Sequence, residues 1–327
     1  MSPESFRDRF QVEARIFSEV LAVDSNVRKV TVRNLRTGET YTEAYDKLIL
    51  SPGAKPIIPP LPGADSPNVF TLRNIPDMLA IKDYIGEHSS KRAVAVGGGY
   101  IGIEMAENLK EAGLSVAIVE MQGHLMASLD FDMAAFVHNH LREKGIDVYL
   151  SNAVKEIQSL DAKTRVILAQ GSLNADLVIL AIGVRSDTDF LKDSGIALNE
   201  RGGIIVNDHM MTSNPDIYAV GDAAEISDFI TGQRTMVPLA GPANKQGRIA
   251  ADNICGIQSR YEGTQGSSII KLFDLTVAAT GLNEKRASKM GLDYEKSFTL
   301  SASHAKYYPG GSNITIKTIY EKTTGKI

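Results

Sequence analysis

Apolar and polar positions alternate along residues 10–60, as in Phe10-Gln11-Val12-Glu13-Ala14-Arg15-Ile16, and the pattern turns at Asp24-Ser25-Asn26 and Thr37-Gly38. A period of two broken by polar turns predicts an antiparallel meander. Lys47-Leu48-Ile49-Leu50 is different: it is continuously apolar after its lysine and stops at Ser51-Pro52-Gly53-Ala54. That is the pattern of a buried strand running into a tight loop. Residues 56–67 hold five prolines and little periodicity, which predicts a connector.

From Arg92 onward the pattern predicts a strand over 93–96, a helix over 100–112, a strand over 116–120 and a helix over 130–144. This alternation builds a parallel sheet with covering helices. A short strand at 148–150 follows, and segments 154–157, 164–168 and 176–182 predict a second meander that closes the domain at Gly183. Residues 204–222 return to strands, 242–256 read as a helix packing on them, and a strand-rich segment begins after Gly266. The expected domains are 1–74 with 206–260, then 75–205 inserted between them, then 265–327.

Composition narrows the function classes. Apolar residues make up 43% and charged residues 23%, with a net charge of −4, the balance of a globular protein without a basic stripe. Nucleic acid is therefore not an expected partner. Residues 1–9 have no apolar core for a leader, and the longest apolar run, 177–184, is far short of the ~20 residues that span a bilayer. The expectation is a cytoplasmic protein with no membrane segment. The single cysteine, Cys255, excludes an internal disulfide, a CxxC pair and a cysteine-rich zinc site. His138 and His140, two apart on a predicted helix, point to different faces, and no metal site is expected.

Candidate chemistry concentrates in two places. Gly97-Gly98-Gly99-Tyr100-Ile101-Gly102 is a GxGxxG between an apolar strand and a helix. Gly97 permits the tight turn, Gly99 lets backbone amides approach a diphosphate, and Gly102 lets the helix pack closely. The second strand ends in Glu120, placed to accept hydrogen bonds from the adenosine ribose. No Arg or Lys occurs among Met121, Gln122, Gly123 and His124 to meet a 2′-phosphate, so NADH is expected over NADPH. The alternative is a glycine turn that binds nothing. In the second place, the strand Ile217-Tyr218-Ala219-Val220 ends in Gly221-Asp222. Gly221 lacks a Cβ where a ligand could cross, and Asp222 can accept from a polyol hydroxyl, although such a pair is also an ordinary turn.

With these motifs in order, Leu-Ser-Pro-Gly-Ala-Lys-Pro (50–56), Gly-Gly-Gly-Tyr-Ile-Gly-Ile-Glu (97–104), Ala-Ile-Gly-Val-Arg (181–185) and Tyr-Ala-Val-Gly-Asp (218–222) resemble the pyridine nucleotide-disulfide oxidoreductases. Segments 238–248 and 303–310 resemble the coenzyme A-disulfide reductase and NADH-dependent persulfide reductase branch, with NADH oxidases and peroxidases as relatives. The resemblance implies an α/β fold of two interleaved Rossmann-like FAD/NAD(P)-binding domains, the outer one incomplete, plus part of an α+β dimerisation domain. It implies FAD and NADH as cofactors, a homodimer, and a small-molecule disulfide, persulfide or coenzyme A thiol as substrate.

By the same resemblance, Ser51, Pro52, Gly53 and Ala54 match the loop that crosses FAD. Arg73 matches an arginine near the flavin, and Asp222 after Gly221 matches the ribityl ligand. Ala240 and Asn244 match the isoalloxazine edge. Ile101, Glu104 and Gly183 match the nicotinamide groove, and Tyr100 the aromatic that shields the flavin. Tyr307 and Tyr308 match tyrosines that face a thiol or coenzyme A site in the partner subunit. Without the family, Glu104 is a dipole partner of its helix and Tyr307 and Tyr308 are a packed corner. Cys255 is expected to be a small buried hydrophobe rather than a nucleophile.

Such enzymes begin with a first GxGxxG and a reactive cysteine, neither of which occurs in this sequence. The expectation is an incomplete outer sheet with exposed edges, poor FAD retention and marginal stability. A non-catalytic nucleotide-binding fragment is the competing reading of the chain.

Overall fold

A computed structural model describes residues 2–160, 163–305 and 307–327. The chain divides into two compact units, 1–55 with 185–264 and 56–184 with 265–327. These limits differ from the expected ones because segments 56–74 and 185–205 change sides. Val69–Phe70 adds an edge strand to the second unit's sheet. Leu191, Ile196 and Ile204 bury themselves in the core of the first.

The second unit is built on a five-stranded parallel sheet, in the order Val69–Phe70, Leu177–Leu180, Arg92–Val96, Ser115–Val119 and Ile146–Tyr149. Its three middle strands are apolar on both faces because both faces are covered. Ala93, Ala95, Val116, Ile118, Leu177 and Ile179 share a core with helices Tyr100–Glu111 and Phe131–Glu143. Val94, Val96, Ala117, Val119, Val178 and Leu180 face a second core. An antiparallel meander of Val154–Leu160, Lys163–Leu168 and Ser172–Ala175 contributes to that core. The strand expected to end that meander, 176–182, is instead a central strand of the parallel sheet. Its four core residues are all buried, which a half-exposed meander strand would not require.

The C-terminal segment joins this unit. Ile270 and Leu272, from the hairpin Ser268–Leu272 and Leu275–Ala279, enter the first core. A charged cluster adds to the join. Lys317, with its side chain 4% exposed, donates to Asp130 at 2.8 Å, to Asp132 at 2.8 Å and to Glu284. The three carboxylates lie within 4.8 Å of one another, and the ammonium between them supplies the compensating charge.

In the first unit the meander is Ser18–Asp24, Lys29–Asn34 and Thr40–Ala44. The expected strand at Phe10–Ile16 is absent. Helix Pro3–Phe10, capped by Ser2, stands before it, and 11–16 is irregular. Alternation there has no neighbouring strand to satisfy it, and Phe10, Val12 and Ile16 stay exposed. Leu48–Leu50 pairs in parallel with Ile217–Ala219, and helix Ala240–Ile254 packs its Ala250 into the core that holds Leu50, Ile217 and Ala219. Among the described residues, no helix is long and apolar enough to cross a membrane.

Candidate functional site

In the second unit, strand Arg92–Val96 ends at Gly97, whose φ of +109° and close surroundings demand glycine. A Cβ there would stand 2.3 Å from the Ala181 carbonyl oxygen. Gly102 is equally constrained, since its Cβ would lie 2.0 Å from the Gly97 carbonyl oxygen. Gly99 is not constrained from inside: its φ is ordinary and nothing lies within 4 Å of where a Cβ would be. The chain therefore keeps glycine at the one position of the turn where the space outside is open.

Gly99 is the N-cap of helix Tyr100–Glu111 and supplies no side-chain cap. The first-turn amides of a helix have no intrahelical acceptor, and the helix dipole adds partial positive charge there. Glu120 lies beside the turn. Its Oε2 accepts the Gly98 amide at 2.7 Å and its Oε1 accepts the Gln122 amide at 2.7 Å. Each oxygen keeps a further lone pair, enough for a pair of vicinal hydroxyls. Open donors and an oriented carboxylate fit a diphosphate joined to a ribose, so the residues present suit NADH.

Along the same helix Ile101 is 37% exposed, and Glu104 has no hydrogen-bond partner for its carboxyl among the described residues. Partial desolvation, then the charge of Glu107, pushes the Glu104 carboxyl above its usual range. Gly183, with φ +126°, follows the strand adjoining Gly97, and its carbonyl accepts the Ile57 amide at 3.0 Å. The Tyr100 hydroxyl is held by Ser268 at 2.6 Å and Ser128 at 3.0 Å, which anchors the ring within this unit.

In the first unit, parallel pairing of Leu48–Leu50 with Ile217–Ala219 brings two strand ends together, the place where open α/β sheets bind ligands. Gly221 has φ +78°, and a Cβ on it would stand 3.8 Å from Ser51 Oγ. Gly53 turns the Ser51–Pro52–Gly53 loop with φ +70° before Ala54 opens a short strand. Asp222 accepts no hydrogen bond from the described residues, and burial pushes its carboxyl above the usual range. A half-buried carboxyl without a partner at a glycine turn fits a polyol hydroxyl. Ala240 and Asn244 lie in the first turns of helix Ala240–Ile254, both exposed, with Asn244 Nδ2 donating back to the Ala240 carbonyl.

Arg73 belongs to the second unit, where its amide donates to Asp77 at 2.8 Å. Tyr307 and Tyr308 are 84% and 62% exposed and do not form the packed corner that the residues alone would suggest. They sit in the connection between strands Tyr294–Ala302 and Asn313–Glu321. A cavity of about 390 Å³ there is lined by His304, Tyr308 and Asn313. Cys255 is exposed, not the buried hydrophobe expected, because it falls at the C-cap of its helix. At about 1.5 Å per residue it lies roughly 20 Å from Ala240.

One contributor was missed. Gln246, 1% exposed, accepts the Gly221 amide at 2.7 Å and so fixes the turn before Asp222. Its sequence signal is a polar side chain on the face of the helix that also buries Ala250.

Comparison with known proteins agrees with this geometry. Residues 4–247 match the pyridine nucleotide-disulphide oxidoreductase family. An NADH oxidase of Methanocaldococcus jannaschii is 37% identical over 328 residues, covering 100% of this chain and 72% of the relative. A CoA-dependent NAD(P)H sulfur oxidoreductase of Pyrococcus abyssi is 34% identical over 326 residues, covering 99% and 72%. The crystal structure of reduced Bacillus anthracis CoADR-RHD superimposes with a TM-score of 0.97 at 45% identity over the whole chain. The chain spans 59% of that protein's length. The chain belongs to the pyridine nucleotide-disulphide oxidoreductase family.

Proposed function

We propose that this chain forms the dinucleotide-handling part of an NADH- and FAD-dependent reductase of small sulfur compounds, namely coenzyme A disulfides, persulfides or polysulfides. In this reading it works in the cytoplasm as a homodimer. NADH is assigned to 56–184, FAD to 1–55 with 185–264, and dimer contacts to 265–327. The observation that carries the reading is the uncapped first turn of helix Tyr100–Glu111 beside the Glu120 carboxylate.

When bound, FAD would supply the hydride acceptor for NADH and the electron store that serves the final acceptor. The chain's own contribution is binding and orientation. Amides of the 97–102 turn hold the diphosphate, and Glu120 fixes the adjoining ribose. Ile101, Glu104 and Gly183 border the nicotinamide. Asp222 holds a ribityl hydroxyl, Ser51–Ala54 support the cofactor chain, and Ala240 and Asn244 border the ring system. Arg73 lies toward the flavin side, Tyr100 toward the nicotinamide side, and Tyr307 and Tyr308 serve the acceptor thiol.

A second reading, an NADH oxidase, is favoured by the name of the Methanocaldococcus jannaschii relative. One experiment separates the two. The 327-residue chain, supplemented with FAD, is titrated anaerobically with NADH while flavin absorbance is followed, and then receives coenzyme A disulfide or oxygen. Bleaching followed by recovery on disulfide supports the reductase, and recovery only on oxygen supports the oxidase. No bleaching at all would overturn both readings for the chain.

A further inference from the structure

The loop after Glu120 folds back over the glycine turn, and one buried side chain pins it there. Met126 donates its amide to the Gly98 carbonyl at 2.8 Å, and the adjacent Leu125 amide donates to Nε2 of His138 at 3.1 Å. Leu125 is fully buried and His138 is 3% exposed. The Leu125 side chain is wedged against the turn: a Cβ on Gly98 would stand 2.2 Å from Leu125 Cδ2 and 3.2 Å from Glu120 Oε2. Gly98 thus touches all three parties, namely the loop, the carboxylate that faces the ribose, and the helix that opens two residues later.

A ring nitrogen accepts a hydrogen bond only when it carries no proton, so His138 is neutral with its proton on Nδ1. The charged and titratable groups facing it are Arg142, one turn along its own helix, and His124 on the loop; the edge of Phe131 completes its surroundings. Burial first, then these neighbours, oppose protonation of His138. Without that acceptor the buried Leu125 amide would be left unpaired, at a cost the loop can avoid only by moving off Gly98.

We propose that His138 is a positioning residue for dinucleotide binding: its unprotonated Nε2 holds Leu125, and Leu125 with Met126 holds the Gly97–Gly102 turn at the spacing that a diphosphate requires. The proposal rests on the NADH reading above. It requires a side chain that touches no ligand to set ligand affinity, which a merely space-filling histidine would not do.

The test uses the 327-residue chain with NADH as titrant in calorimetry and far-UV circular dichroism as the check on folding. His138→Leu keeps bulk and removes the acceptor, while His138→Gln restores an acceptor oxygen. Loss of about tenfold in NADH affinity is expected in His138→Leu, the worth of one buried hydrogen bond, with His138→Gln within about threefold of the native protein. Native affinity in a folded His138→Leu, or equal loss in both variants, would overturn the proposal. If His138→Leu does not fold, acid-stable ADP-ribose is titrated into the native protein and His138→Gln from about pH 8 down to the acid limit at which both remain folded by circular dichroism, since the imidazole lies below its usual range. Affinity should fall with acid in the native protein more than in His138→Gln, and parallel curves would overturn the proposal. Absence of binding to the native protein at neutral pH would instead remove the NADH reading itself.

Discussion

Glu120 Oε2 accepts the Gly98 amide at 2.7 Å, so the carboxylate proposed to face a ribose also braces the turn proposed to face the diphosphate. Glu120→Gln keeps one amide acceptor and loses the charge that strengthens both contacts. NADH affinity should weaken about 10- to 100-fold, the value of one or two hydrogen bonds to a charged group. The melting temperature should move by only a few degrees. Isothermal titration and a thermal melt check both, and an unchanged affinity would detach Glu120 from binding.

Two neighbouring glycines should respond in opposite ways. Gly97→Ala sets a Cβ 2.3 Å from a backbone oxygen at φ +109°, so it should cost about 2 kcal/mol or more in stability. Gly99→Ala meets nothing and should leave the denaturation midpoint within about 0.5 kcal/mol of native. It should still impair NADH binding, because its methyl enters the space assigned to the diphosphate. Urea unfolding alongside NADH titration of both variants checks the contrast.

Among the described residues, Lys317 is the one ammonium that meets Asp130, Asp132 and Glu284 together. Lys317→Met takes the ammonium from Asp130 and Asp132 and leaves Glu284 with Lys296 alone, and should destabilise the second unit by about 3 kcal/mol. Burial opposes ionisation of Glu284, but hydrogen bonds from Lys317 and Lys296 outweigh it and hold the carboxyl below its usual range. Its contribution is therefore present above the ordinary glutamate value and is lost as pH falls through the lowered folded value. Native stability should drop with acid over that window, and the Lys317→Met variant should show a shallower drop.

Asp222 runs the other way. Its carboxyl is raised by burial, so the stability linked to it is present below the ordinary aspartate value and is lost as pH rises through the folded value. Asp222→Asn should stabilise the flavin-free chain slightly at neutral pH, by under about 1 kcal/mol given its contact with water. It should also weaken FAD retention, the usual opposition between stability and a binding group. Flavin absorbance after gel filtration and a melting curve without FAD report the two halves.

The parallel core around Gly97 was legible because its constraints are local. A strand, three glycines, a helix and an acid fall within thirty residues, and the observed strands Arg92–Val96 and Ser115–Val119 differ from expectation by one residue at the start of the first and one at each end of the second. Helix Ile75–Glu87 was missed although Asn74 and Asp77 spell a capping box, a signal carried by polar residues rather than by periodicity. The run 177–180 is apolar at every position, a pattern that suits a strand covered on both faces better than one in a half-exposed meander.

Other features could not be read from the chain at all. Lys317 meets Asp130 across 187 residues, and no local pattern pairs them. His138 was set aside as a non-ligand, and only the folded loop reveals that it accepts the Leu125 amide. The exposure of Cys255 depends on where its helix ends, a boundary that apolar periodicity defines poorly.

The most direct test is calorimetric titration of NADH into the purified, demonstrably folded 327-residue chain, with NADPH in parallel. The account expects one saturable site for NADH, with NADPH weaker because no Arg or Lys stands among residues 121–124. A folded chain that takes up neither nucleotide would contradict it.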